Sequence, residues 1–228
     1  MGGYEDVDEG NGSRALTADA PALVPPLADY VQRNVIRTPS TRVSLLEQAA
    51  TFLSESMAEG KSANLIFICT HNSRRSHFAH VWADTAARHF GITGVQCFSG
   101  GIETTACDER TVRALRRAGF SVVMSKPGEN PVYLVQAFES LPPIRCTSKI
   151  YSSGNPGVTE FAAMMCCSDV DDKCPMVLGA ALRVPLHYDD PKAADGSPHE
   201  GKRYDERCYE IGRDMFQLMS MVDGGRRS

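Results

Sequence analysis

One stretch constrains the fold of this chain more than any other. Asn64-Leu65-Ile66-Phe67-Ile68-Cys69 is an apolar run of strand length. Thr70-His71-Asn72-Ser73-Arg74-Arg75-Ser76 then carries no apolar side chain, and an alanine-rich stretch follows as far as Gly91. A continuous apolar run, unlike an alternating one, suits a strand covered on both faces. Strand, polar loop and helix in direct succession form the repeating unit of a parallel α/β sheet.

The rest of the chain extends that unit. Residues 95–98 read as a strand that stops at Ser99-Gly100-Gly101. Asp108 suits the N-cap of a helix reaching Ala118, with Gly119 to end it. Further strands are expected at 120–124, 161–167 and 181–186, and an amphipathic helix at 204–222. Val43, Leu46, Ala50, Leu53 and Met57 predict another helix over 41–59, ended by Gly60. The expected fold class is therefore α/β: a central parallel sheet of about four strands with helices on both faces, an N-terminal helical extension and an inserted hairpin. Residues 1–40 are expected to form a disordered or irregular tail, and 41–228 a single domain. That domain is interrupted at about 126–160 by a proline-rich insertion with β-like runs at 132–135 and 144–151.

Charge and cysteine content narrow the class. The 228 residues carry 24 Lys+Arg and 28 Asp+Glu, a formal charge of -4. No basic excess points to nucleic acid. No apolar stretch is long enough to span a bilayer, and the acidic start MGGYEDVDEG lacks the order of a signal peptide. A cytoplasmic protein that engages neither nucleic acid nor membrane is expected. Residues 1–25 hold five acidic groups and one basic group, so the remainder is balanced at 23 of each and does not oppose an anionic substrate. Eight cysteines in a reducing compartment are core fillers, metal ligands or reactive thiols.

The polar loop is where chemistry is expected. A strand-to-helix turn aims backbone N–H groups at one point, and the helix N-terminus adds partial positive charge, which together make an anion site. Cys69 stands at its floor, and the field favours the thiolate. Arg75 is placed to clamp a tetrahedral oxyanion in two-pronged fashion, and Ser76 to donate to the sulfur. The bare spacing Cys-x5-Arg is weak, because Cys107 and Arg113 repeat it. Cys107 follows no apolar strand, and Asp108 and Glu109 in its loop would repel an anion. His71 reads as a surface or loop-shaping residue without a carboxylate partner, and Arg74 as solvated. Asp189-Asp190-Pro191 supplies carboxyls that could protonate a leaving oxygen, although Asp-Pro is also an ordinary turn. Cys166-Cys167-Ser168-Asp169 and, after a polar stretch, Cys174-Pro175 bracket a short acidic loop. Cys167 and Cys174 are too far apart for a zinc pair and no second pair is evident, so no metal site is expected. Buried structural cysteines and a redox pair remain as readings.

NLIFICTHNSRRS resembles the phosphate-binding loop of the low-molecular-weight protein tyrosine phosphatases and of the thioredoxin-coupled arsenate reductases built on that fold. The resemblance covers 64–124 and 161–222. It implies Cys69 as nucleophile, Arg75 as oxyanion binder, and Thr70, His71, Asn72, Ser73, Arg74 and Ser76 as the rest of the binding loop. It implies that Asn72 shapes the loop and that Ser76 supports the thiolate. It further implies Asp190, directly before Pro191, as general acid, with Asp189 as the alternative. Cys-Ser-Asp followed by Cys-Pro resembles the reductase subgroup, implying a relay from Cys69 to Cys167 to Cys174 with thioredoxin as external reductant and no bound cofactor. The implied substrate is arsenate, or a phosphate ester if the chain is a phosphatase. Phosphatases of this group usually carry tyrosine after Asp-Pro, whereas Lys192 and Ala193 stand here. A third reading is a non-catalytic oxyanion- or partner-binding protein on the same fold.

Overall fold

In a computed structural model, residues 21–37, 39–155, 157–169 and 176–223 are described. The elements run α1 (Pro25–Arg33), a short 3-10 turn (Val35–Arg37), α2 (Val43–Ala58), β1 (Ala63–Cys69), α3 (Arg75–His89), β2 (Val95–Gly101) and α4 (Glu109–Arg117). They continue as β3 (Ser121–Lys126), β4 (Val132–Gln136), β5 (Ile144–Cys146), β6 (Phe161–Met165), β7 (Ala180–Val184) and α5 (Glu200–Ser220). Four strands form a wholly parallel sheet in the order β2-β1-β6-β7. Every residue of β1 and of β6 is buried. Successive strand residues face opposite sides, so these central strands are covered on both faces, as the unbroken apolar run required.

Helix α3 leaves the end of β1 and packs on β1, β2 and α5, while α2 lies against β1, β7 and α5. Trp82 is the hub of this layer. Its ring makes edge contacts with Phe120 and Phe216, and its indole N–H donates to the Cys208 sulfur at 3.3 Å. Gly212 on α5 permits the approach, since a Cβ there would lie 2.9 Å from the indole.

Two expectations change. Residues 120–124 were expected in the parallel sheet, and the strand there belongs instead to a separate antiparallel sheet ordered β3-β4-β5. The connection to β4 runs only from Lys126 to Val132, too short for a parallel crossover and suited to a hairpin. Val122 is the one buried residue of β3, and Val123 and Met124 are exposed, as suits an edge strand with little cover. Within the expected irregular tail, residues 25–37 are largely helical and bury Leu27, Val31 and Val35 at four-residue spacing. Pro25 and Pro26 occupy the first turn, where a missing N–H costs nothing.

The insertion returns to the sheet beside the end of β2. Gly101 N donates to Lys149 O at 2.8 Å, and Tyr151 N to Gly101 O at 2.9 Å. Only glycine fits at position 100, since a Cβ there would lie 2.3 Å from the Tyr151 Cα. Among the described residues, no helix is long and apolar enough to cross a membrane.

Helix α3 also buries His77 and His80 behind the loop. Burial, reinforced by the nearby Lys149 charge, pushes His77 down to about 3 and His80 well below its ordinary value. Between about pH 6.5, where an unfolded histidine titrates, and pH 3, the unfolded chain binds the proton and the folded chain does not. Stability is thus highest above that window and falls with acidification. Urea unfolding at pH 7 and pH 5 is expected to show that fall, and His77→Gln to shrink it by about 2 kcal/mol. An unchanged pH dependence in the variant would contradict this account.

Candidate active site

The loop between β1 and α3 is held by its carbonyls. Thr70 O accepts from Ile102 N and Glu103 N at 3.0 and 2.9 Å. His71 O accepts from Thr105 Oγ1 and Ser148 Oγ at 3.1 and 2.9 Å. Ser73 O accepts from Asp108 N at 3.0 Å and from Thr111 Oγ1 at 3.3 Å. The N–H groups of His71, Asn72, Ser73 and Arg74 take no acceptor among the described residues. With the carbonyls engaged by neighbouring elements, the loop keeps its donors for a ligand, which is the requirement of an anion cradle.

Asn72 sets the shape of the loop. It is fully buried with φ 44°, a left-handed conformation that asparagine tolerates better than most residues. Its amide donates to Ser76 Oγ at 2.9 Å, and its carbonyl accepts from Lys149 N at 2.9 Å. Ser76 Oγ lies 3.0 Å from Cys69 Sγ. A hydroxyl that already accepts from Asn72 has its own proton free for the sulfur. The order Asn72, Ser76, Cys69 is thus a chain of hydrogen bonds that ends on the Cys69 sulfur.

Arg75, the first residue of α3, is buried and turns toward the end of the sheet. Its Nη1 donates to Tyr188 O at 3.0 Å and its Nη2 to Asp190 Oδ2 at 2.8 Å. Its Nε is buried without a partner among the described residues. Asp190 also caps the 3-10 turn Pro191–Ala194 by accepting from Lys192 N at 3.1 Å. Asp189 is 99% exposed in its side chain and meets Arg207 at 3.5 Å. The two carboxyls thus face different ways, and only Asp190 is joined to Arg75.

Cys167 is buried, with its sulfur 3.7 Å from the Thr70 hydroxyl. Cys166 is fully buried, and burial raises its thiol well above the ordinary value, with the nearby Cys69 and Cys167 sulfurs adding to the effect. Three thiols therefore gather at the ends of β1 and β6. No disulfide joins the described cysteines. Cys174 lies outside the described residues. Cys107 is buried near Cys146, and its thiol is pushed well up by burial.

Two side-chain readings are corrected. Arg74 is not solvated: it donates to Tyr204 Oη at 2.8 Å and to Asp108 Oδ2 at 2.7 Å. His71 does pair with a carboxylate, Glu103, at 3.3 Å. Sequence reasoning missed Ser148 and Lys149. They brace the loop from the insertion, 77 positions away in sequence, and no local pattern announces them. The groove beside the loop is lined by His71, Ser73, Arg74, Thr105, Ala106, Asp108 and Lys192, none of them Phe, Tyr or Trp.

Residues 64–131 match the family described as low molecular weight phosphotyrosine protein phosphatase. The chain is 29% identical to the arsenate reductase of Bacillus licheniformis over 151 residues, covering 65% of this chain and 88% of that protein. It is 26% identical to the arsenate reductase of Bacillus subtilis over 155 residues, or 68% and 93% of the two chains. Among solved structures, a low molecular weight phosphotyrosine phosphatase from Vibrio cholerae aligns with a TM-score of 0.47 and 15% identity, over 68% of this chain and 94% of that one. These matches support a place in the low-molecular-weight protein tyrosine phosphatase superfamily. The two curated relatives are arsenate reductases, and with the family match they indicate cysteine-dependent chemistry of either the reductase or the phosphatase kind.

Because Asn72 both adopts a left-handed conformation and bridges two buried partners, its two roles separate by mutation. Asn72→Ala is expected to cost about 2–4 kcal/mol, from backbone strain and two unpaired buried groups. Asn72→Gly, which removes only the strain, should recover about 1 kcal/mol of that in chemical denaturation. Equal losses in the two variants would contradict the strain contribution.

Proposed function

We propose that this chain is a cytoplasmic arsenate reductase that uses a relay of three cysteines and is recharged by thioredoxin. One observation carries the choice of reduction over hydrolysis: a second thiol, Cys167, lies against Thr70, the first residue of the oxyanion loop. Phosphoester hydrolysis has no use for that thiol, and arsenate reduction requires one. The curated relatives, matched over most of their length, support the same choice.

In this reading the free N–H groups of residues 71–74 and the Arg75 guanidinium hold arsenate, with Thr70, His71, Asn72, Ser73, Arg74 and Ser76 forming the cradle. Arg75 presents its unpartnered Nε and, on leaving Asp190, its Nη2, giving the two parallel donors that suit an oxyanion. Arrival of the anion therefore frees the Asp190 carboxyl to hold a proton. The Cys69 thiolate, oriented by Ser76, attacks arsenic. Asp190 protonates the departing oxygen, which leaves as water, and a Cys69–arsenic bond remains. The Cys167 thiolate then attacks the Cys69 sulfur. The sulfur–arsenic bond breaks with its electron pair going to arsenic, arsenite departs, and a Cys69–Cys167 disulfide forms. Cys174 attacks Cys167, releases the Cys69 thiolate and leaves a Cys167–Cys174 disulfide for a thioredoxin dithiol to reduce.

A second reading shares the loop. Hydrolysis of a phosphomonoester through a phosphocysteine needs only Cys69, Arg75 and Asp190. The described lining of the adjoining groove includes Lys192, where the group usually has tyrosine, and no Phe, Tyr or Trp, which favours a small anion over phosphotyrosine. The two activities are separable. With arsenate, thioredoxin, thioredoxin reductase and NADPH, the protein is expected to oxidise NADPH in an arsenate-dependent manner. Cys174→Ser should abolish that signal and leave p-nitrophenyl phosphate hydrolysis in place. Hydrolysis without arsenate-dependent oxidation would replace the first reading by the second. Silence of the folded, reduced protein in both assays would favour a non-catalytic oxyanion- or partner-binding role.

A further inference from the structure

Arg42 lies just ahead of α2, in the N-terminal extension and outside the residues that match the family. Its guanidinium nevertheless reaches the segment that carries Asp190. Nη1 meets Glu210 at 2.6 Å and Asp214 at 3.2 Å, both on α5. Nη2 donates to His187 O at 3.2 Å, and the guanidinium carbon sits 4.8 Å from the centre of the Tyr188 ring. The Tyr188 hydroxyl donates to Asp214 Oδ2 at 3.0 Å, so the same fully buried carboxylate holds both side chains. The extension is itself anchored on α5, where Ser40 N donates to Gln217 Oε1 at 2.5 Å.

Tyr188 is thereby gripped from three sides. Arg42 covers its ring, Arg75 takes its carbonyl, and its N–H donates to Cys166 O at 3.1 Å at the end of β6. Asp190 follows two residues later and bonds the same guanidinium, Arg75, that holds Tyr188. A buried carboxylate needs its countercharges. Removing Arg42 leaves Asp214 to Arg213 and Tyr188 and releases the His187 carbonyl.

We infer that Arg42 is a positioning residue, through which the N-terminal extension fixes segment 187–190 and so sets the carboxyl of Asp190 against Arg75. The inference rests on the proposed reading of Asp190 as general acid. Arg42 touches no reacting atom. Its effect is confined to the step that needs a proton at the leaving oxygen, and oxyanion binding in the loop is left intact.

The test uses the full chain and two esters that differ in how much they need an acid. Phenyl phosphate has a poor leaving group that requires protonation, whereas p-nitrophenyl phosphate releases a stable anion. For Arg42→Met, kcat/KM on phenyl phosphate is expected to fall roughly ten- to a hundred-fold, the scale of a misplaced acid. On p-nitrophenyl phosphate kcat/KM should fall no more than about three-fold, with competitive inhibition by phosphate unchanged. Asp190→Asn should show the same excess loss of kcat/KM on phenyl phosphate over p-nitrophenyl phosphate, and adding Arg42→Met to it little further excess. If Arg42→Met folds poorly, Arg42→Lys carries the comparison, because one ammonium cannot serve Asp214 and His187 O together. A readout independent of turnover is amide hydrogen exchange, expected to quicken across 186–190 in the variant and to stay unchanged in α3. Equal losses on both esters, or unchanged exchange across 186–190, would overturn the inference. A wild-type protein inert towards both esters and arsenate would instead defeat the proposed function, and exchange would still decide the role of Arg42.

Discussion

The structure turns on the amide of Asn72. One end of that group donates to Ser76 and the other accepts from the backbone of Lys149. The first bond orients the hydroxyl beside Cys69. The second fastens the loop to the insertion, which is itself tied to the end of β2 through Gly101. Without both, nothing obliges the carbonyls of the loop to face outward or its N–H groups to stay available. A parallel sheet supplies the place for such a loop, at the carboxyl ends of its central strands, and Asn72 gives the loop its shape.

The loop is closed by charge rather than by a lid. Arg75 and Asp190 hold each other at 2.8 Å, with a third guanidinium donor buried and without a partner among the described residues. A group in that position loses its solvation and gains a partner only when an oxyanion arrives. In the proposed reading the pair ties anion binding to release of the carboxyl, by the exchange of one ion pair for another. The sulfur atoms of Cys166 and Cys167 lie at the end of β6, near that of Cys69.

Much of this was legible in sequence because it is local. The strand, loop and helix at 63–89 lie within one stretch, and their order is dictated by apolar run, polar break and alanine-rich helix. The cap at Asp108 was equally readable. What escaped notice was built from distant pieces. Arg74 and Arg75 are neighbours with the same side chain, and only Asp108 and Tyr204, brought in by other elements, distinguish their environments. Glu103 reaches His71 only because Thr70 O folds the chain after β2 back onto the loop. The strand at 121–126 looked like a sheet member by composition, and its short link to β4 turned it into a hairpin. Helix α1 hid behind two prolines that suit a first turn.

The central claim is that the loop activates Cys69 to transfer electrons, with a second thiol completing the step. A single turnover tests it most directly. Fully reduced protein, free of thioredoxin, is given one equivalent of arsenate, and free thiols and arsenite are counted together. The account predicts the loss of two thiols per chain for each arsenite formed, with Cys69 among the first to enter a disulfide. Retention of all eight thiols with no arsenite would contradict it.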